Sequence, residues 1–526
     1  MVQVAPVLRR RRALHSRTTL RSQSPSRRVA AERDVNNLEQ SGGIVTGESA
    51  ENRSRFVSRI PIALFVIFYA AHFSLISLSF YRNYDTAPFD LGVFDQGVWL
   101  LSRFHDPFVT VMGRNLFGDH TSFILLALVP VYWVWPHVDA LLVIQSCVLA
   151  CSVIPIYELA RRRLGSNTLA TALGLVLLLN PALEHGNLEA FHPECFLVLA
   201  LAVGLYAAIE WNRCLLILSI VVALLVKEDV ALYIVPLGIW IAIRRDRRWG
   251  LAIAAAAVSY CVIAYEVLIP AFLGAASPYL GRIPFGGFGG LGKAVFERPR
   301  AVWDSLTTSG QPFYLWQIGA SFGFGFLLAP DLAVIALLAL LENVLSTLPY
   351  MHEILYHYSM ALAPVLGIAT VIALARITGP LRRRVMAAMV IASAVTCSVL
   401  WGLAPFSLHE EQGIPPASAA ASVQIADDTA ALHTLPANAI VSSYYLYLTH
   451  IDHRPRIYLW PTPFAAEDWG VSPASNGKRL PFADQIQYLV LPEVLSGSDA
   501  KVFSSIKRQF RLVDSDGGIA IYERMS

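Results

Sequence analysis

Charged residues are scarce in this chain. Asp, Glu, Lys and Arg make up 15% of 526 residues, against 55% hydrophobic. A soluble domain carries about 25% charged residues, so a water-soluble globule is excluded and the chain reads as a polytopic membrane protein. Cysteine is also sparse. The six, at positions 147, 151, 195, 214, 261 and 397, all lie in apolar stretches, which excludes a disulfide framework and a zinc site with CxxC spacing. No glycine-rich loop ends in Lys-Ser/Thr, and neither a dinucleotide fingerprint nor a serine nucleophile elbow is found. No internal repeat suggests an inverted-repeat transporter, and nothing calls for a nucleic-acid partner.

The formal charge of +3 conceals a polarised chain, because 12 of the 41 bases fall in residues 1–60. Residues 1–55 are rich in Arg, Ser and Gln without apolar periodicity and read as a disordered basic cytosolic tail. Residues 56–405 form the membrane domain. Its first span, Ile60 to Phe80, has its start fixed in the cytosol by Arg53, Arg55 and Arg59. Ten more spans are expected near 138–160, 168–182, 195–211, 214–227, 230–243, 250–273, 313–329, 332–348, 359–376 and 385–405. With eleven crossings, the basic clusters at Arg161 to Arg163, Arg213, Arg244 to Arg248 and Arg376 to Arg384 face the cytosol. The C-terminus is then extracytoplasmic, and the location is the plasma membrane.

Thr121 to Trp135 is apolar but short, and suits an interfacial or re-entrant helix. Lys227-Glu228-Asp229 interrupts the apolar stretch from Cys214 to Ile243, so a hairpin with its tip at the outer surface is expected. Residues 406–526 change to short β-rich runs (439–444, 457–459, 488–491, 519–522) between helical patterns. They read as a small extracytoplasmic α/β domain that docks on the membrane part.

On this topology, ionisable side chains gather on the outer side. The first outer loop holds Asp90, Asp95, Asp119 and His120. The second holds Glu189, His192 and Glu194, the hairpin tip Lys227, Glu228 and Asp229, and a later loop His352, His357 and Tyr358. Polar loops are ordinary at a membrane edge, but Asp90, Asp95, His192 and Glu194 sit in apolar sequence, where a solvated loop needs no such setting. Asp90 opens a helix with apolar residues at 91, 94, 98 and 101. It suits an N-cap as well as a carboxylate that deprotonates a hydroxyl or holds a cation on a phosphate. Glu189 to Glu194 alternates oxygen and nitrogen donors, with His192 and Glu194 as metal ligands for Mg²⁺ or Mn²⁺ rather than zinc. Lys227 is placed to neutralise a phosphate beside acids that orient a sugar, or forms a self-compensated turn. His352, His357 and Tyr358 suit a leaving group, or ordinary interface packing. The glycine run 281–292 reads as a mobile loop over a cavity.

Phe89 to Gln96, Asp119-His120, Phe191 to Glu194, Lys227 to Asp229 and His357-Tyr358 together resemble an uncharacterised bacterial integral-membrane family, a domain of unknown function, over about residues 60–526. More distantly, the helix order is similar to the GT-C glycosyltransferases, including dolichyl-phosphate mannosyltransferases and the aminoarabinose transferase. That resemblance implies a GT-C-like membrane domain moving a sugar from a polyprenyl-phosphate donor to an envelope glycan or lipid acceptor at the outer face. By position Asp90 matches the catalytic acid, Asp95 is the next best, and Glu189 or Glu194 matches the second-loop acid. The Asp-Glu pair of protein mannosyltransferases is not reproduced, which leaves metal dependence open. Two other classes stand beside this one. A lipid or glycan transporter needs ionisable residues at mid-bilayer, where Glu266 is the only obvious one. A scaffold would act through residues 406–526. An unpaired Glu266 facing lipid counts against both enzyme and transporter and in favour of a protein partner.

Overall fold

Turn chemistry punctuates the apolar sequence into short helices. The computed structural model describes residues 59–86, 88–279, 281–307, 310–408, 419–467, 475–516 and 518–525; the expected 1–55 tail lies outside them. The helices that matter for the site are α1 (Ile60–Arg82), α2 (Pro88–Ser102), α3 (Val138–Leu164), α4 (Asn167–Leu178), α5 (Pro181–Glu189), α6 (Glu194–Glu210), α7 (Arg213–Leu224), α8 (Ala231–Arg244) and α9 (Arg247–Leu273). Ser166, Asn180, Asn212 and Asp246 cap α4, α5, α7 and α9, each accepting from a backbone N–H two or three residues on, as short oxygen-bearing side chains do at helix starts. Pro181 has no N–H to continue α4, and α5 leaves it at 46°.

All eleven segments expected to span contain helix. Among the described residues, five helices are long and apolar enough to cross a membrane (α1, α3, α9, His357–Arg376 and Pro380–Trp401), and the bent α4–α5 pair makes a sixth. His357–Arg376 is central, with 83% of its apolar window buried, whereas α9 is peripheral at 22%. Leu64, Ile67 and Phe68 on α1 and Val262 and Val267 on α9 are exposed, the apolar outer surface that a bilayer covers. Close packing of α8 on α9 depends on glycine. A Cβ on Gly250 would fall 2.1 Å from the backbone N of Ala242.

The C-terminal part contains a five-stranded sheet in the order β4-β3-β5-β7-β6, formed by β3 (Val441–Ser443), β4 (Ile457–Leu459), β5 (Tyr488–Pro492), β6 (Phe510–Asp516) and β7 (Ile519–Arg524). The strands β4, β3 and β5 are parallel, and β7 and β6 continue the sheet antiparallel. Sequence patterning misses β6, because its run is mixed and bulged between Leu512 and Asp514. The expected glycine-rich mobile loop is instead helical over Gly287–Glu297.

This sheet is sewn to the loop that follows α1. A small hairpin, β1 (Phe108–Val109) with β2 (Arg114–Asn115), turns through Gly113 at φ +70°, a backbone conformation that glycine adopts without strain. Thr110 Oγ1 donates to the Ile457 carbonyl at 2.6 Å and accepts from the Ile457 N–H at 2.9 Å. Gln96 of α2 donates to the Arg454 carbonyl at 3.1 Å. Gly92 admits Leu448 so closely that a Cβ there would lie 2.5 Å from Leu448 Cδ2. Pro61–Ser526 accordingly form one compact unit.

Candidate functional site

A narrow cavity opens between α2, the β1–β2 hairpin, the start of α6, the α7–α8 turn and the segment around His357. Its wall brings together Asp90, Asp119, His120, His192, Glu194, Lys227, His357 and Tyr358, eight residues from five separate stretches of sequence.

Asp90 does not cap its helix. It lies within the first turn of α2, and its carboxylate is 45% exposed and 3.6 Å from His192 Nε2. Burial alone would raise its pKa, but His192 and His357 outweigh that and hold Asp90 below the ordinary carboxylate range. His192 is fixed from behind: Gln145 accepts its backbone N–H at 2.8 Å and donates to the Ala190 carbonyl at 2.6 Å. Burial disfavours its charge, yet Glu189, Asp90 and Glu194 push its pKa up to about 9, so it is cationic at neutral pH. The His192 ring stacks on His357 at 3.6 Å and 19°.

Glu189 stands one layer back. It accepts from the His357 backbone N–H at 2.7 Å and lies 3.2 Å from His357 Nδ1, so it positions an imidazole and does not line the cavity. The donor atoms of Glu189, His192 and His357 lie within 4.8 Å of one another. This set differs from the expected His192 and Glu194. Because the two imidazoles are stacked nearly face to face, one ion cannot lie in both ring planes until a ring turns.

Three basic residues also line the cavity, each paired with acids. Lys227 Nζ is 3.0 Å from Glu194 and 3.8 Å from Asp229; burial works against its charge, but these two acids hold its pKa well above the ordinary lysine value. Arg282 bonds Asp229 at 2.8 Å and Glu342 at 2.7 Å. Arg114, delivered by β2, bonds Asp119 at 2.7 Å, and Tyr279 donates to the same carboxylate at 2.9 Å. Glu228 is fully buried behind His120, 2.7 Å from its Nδ1. The Lys227-Glu228-Asp229 turn thus compensates itself in part, through Lys227 and Asp229, while its side chains also reach Glu194, His120 and Arg282.

Sequence reasoning missed Arg114, Tyr279 and Arg282. The two arginines carried a signal, since bases in loops expected to be non-cytosolic run against the positive-inside trend.

Two expected residues lie elsewhere. His352 is buried beside a separate cavity with His185, Tyr314 and Trp401. Asp95 is also outside the cavity, because five residues on a helix turn a side chain by about 140° from Asp90. It is 1% exposed, accepts from the Tyr132 hydroxyl and lies 3.1 Å from His453 Nε2. Against burial, His453 holds Asp95 below its ordinary pKa, while burial and the neighbouring Asp95 push Asp452 well above its own. Glu266 is exposed on a π-helical turn within α9 and has no ion pair among the described residues.

The membrane-length helices agree with comparison to known proteins. No curated protein matches the chain. A family model described as a predicted membrane protein, DUF2079, matches residues 81–486, a stretch that includes every cavity residue named above, and the chain belongs to that family.

Proposed function

We propose that the chain is a GT-C-like membrane glycosyltransferase that moves a sugar from a polyprenyl-phosphate donor to an acceptor of the cell envelope. The observation that carries this reading is that one cavity is lined both by a half-exposed carboxylate, Asp90, and by three buried cations, Arg114, Lys227 and Arg282. Glycosyl transfer needs these two functions: a base for the acceptor hydroxyl and electrostatic stabilisation of a departing phosphate.

In this mechanism Asp90, ionised at neutral pH, takes the proton of the acceptor hydroxyl as it attacks the anomeric carbon. Arg114, Lys227 and Arg282 hold the phosphate oxygens while the glycosidic C–O bond breaks. The cations are already paired with Asp119, Glu194, Asp229 and Glu342, so they are fixed in place before substrate arrives and reorganise little. Cationic His192 holds Asp90 ionised, and Glu189 orients His357. A divalent cation at this point would be held by Glu189, His192 and His357 only after His192 gives up its proton and one imidazole turns, and would polarise a bound phosphate. The reading takes α1 and ten further helical segments as eleven crossings of the plasma membrane, with a cytosolic N-terminus and the sheet outside.

Asp90→Asn tests it. Envelope glycan from a deletion strain complemented with this variant should lack the transferred sugar, while expression and melting temperature of the purified variant stay near wild type. Full glycan restoration by Asp90→Asn would sink the proposal. Glu266, exposed on a peripheral helix and without an ion pair among the described residues, counts against this reading and the transporter alternative alike, and it lines none of the cavities described.

A further inference from the structure

We propose that Asp95, Asp452 and His453 form a second site, which takes a first-row divalent cation such as Mn²⁺ or Zn²⁺ and joins α2 to the C-terminal sheet. The site is remote from the cavity chemistry, on the opposite face of α2, and does not depend on the glycosyltransferase reading.

Donor geometry is the first argument. Asp95 Oδ2 and His453 Nε2 are 3.1 Å apart, and one donor atom from each of the three residues lies within 4.8 Å of the others. Neighbouring ligands on a shell of about 2.1 Å radius are about 3.0 Å apart in octahedral and about 3.4 Å apart in tetrahedral coordination. The Asp95–His453 spacing already has that value, and Asp452 closes the set by a small side-chain movement.

Charge is the second. Asp95 and Asp452 are each 1% exposed, and two adjacent buried carboxylates need compensation. His453 supplies at most one positive charge. Arg454 adds a positive charge near Asp452, but its guanidinium donates to the backbone carbonyls of Ile451, Pro436 and Ala439 rather than to either carboxylate. Asp452 Oδ2 has no hydrogen-bond partner, and His453 Nε2 is in contact with Asp95 Oδ2 alone among the acids, at 3.1 Å.

The third argument is orientation. The Tyr132 hydroxyl bonds the other oxygen of Asp95, which fixes the carboxylate as hydrogen bonds from behind fix metal ligands. Two carboxylates with one imidazole combine hard oxygen with borderline nitrogen donors, a set suited to Mn²⁺ or Zn²⁺. Unlike the stacked His192 and His357, no ring here has to turn through its neighbour.

The test uses the full chain in detergent, carrying no polyhistidine tag, stripped with chelator and then equilibrated with Mn²⁺ or with Zn²⁺. Wild type should retain one equivalent by elemental analysis and gain several degrees in melting temperature. Asp452→Asn and His453→Gln should each lose that equivalent and the thermal gain, and His192→Gln should keep both. Two variants guard against one failing to fold. Absence of ion uptake by wild type leaves a proton shared between the carboxylates and overturns the proposal. So does loss of the ion in His192→Gln with retention in Asp452→Asn or His453→Gln.

Discussion

Asp90 and Asp95 occupy one helix, five residues apart, in nearly the same apolar sequence. Asp90 is half-exposed to a cavity beside one imidazole. Asp95 is buried among Tyr132, His453 and Asp452, where α2 meets the sheet. On the proposed reading one amphipathic helix separates two tasks: a carboxylate for reaction needs access to the cavity, whereas one for assembly is buried among the groups it joins. The hydrogen-bonding atoms alone do not distinguish them; helical phase does.

The largest expected effect lies on the Asp90 side. Asp90→Asn should lower sugar transfer by about 10²- to 10⁴-fold, the usual contribution of a positioned base, with little change in thermal melting. Asp95→Ala should do the reverse, costing about 3–5 kcal/mol of stability as a buried charged network loses one member, measurable as a fall in melting temperature. Equal thermal losses in the two variants would erase the contrast. Arg282→Met should fall between, losing transfer and also stability, because Asp229 and Glu342 are left without their shared cation. Gly92→Ala probes the seam itself. Its new Cβ meets Leu448 at 2.5 Å, so about 1–3 kcal/mol of overpacking is expected, with faster proteolysis of the C-terminal part as the readout.

A smaller effect follows from pH. The His192 pKa is raised in the folded chain to about 9 from an ordinary value of about 6.5. Its stabilising contribution is therefore fully present below about pH 6.5 and is lost as pH rises through about 9. Melting temperature should decline across that window in wild type and less steeply in His192→Gln.

Much of the architecture was legible in sequence because its causes are local. Charge scarcity marks the membrane class, caps and Pro181 mark helix breaks, and apolar runs mark the eleven helical segments. The cavity was legible where residues carried a local anomaly, as with Asp90, His192, Glu194 and Lys227, which are charged in apolar surroundings. What escaped depends on tertiary approach. Arg282 is an unremarked base in a glycine-rich loop until its contact with Glu342, sixty residues away, gives it a place. Asp452 and His453 lie in a polar stretch that carried no local signal, and their meaning arises only when α2 comes against them. Helical phase was available for Asp95, since the apolar residues at 91, 94 and 98 define a face. Grouping Asp95 with Asp90 by nearness in sequence overlooked the turn between them.

The bond between Thr110 and Ile457 joins residues 347 positions apart, and the strand that Ile457 begins leans on β3, which is itself held by β5 near residue 490. The hairpin that presents Arg114 is therefore supported by a strand 347 positions further along the chain. A chain made only as far as Tyr358 has every cavity residue in sequence but not the strand that supports this hairpin, so the cavity is completed only after the segment around Ile457 has been made.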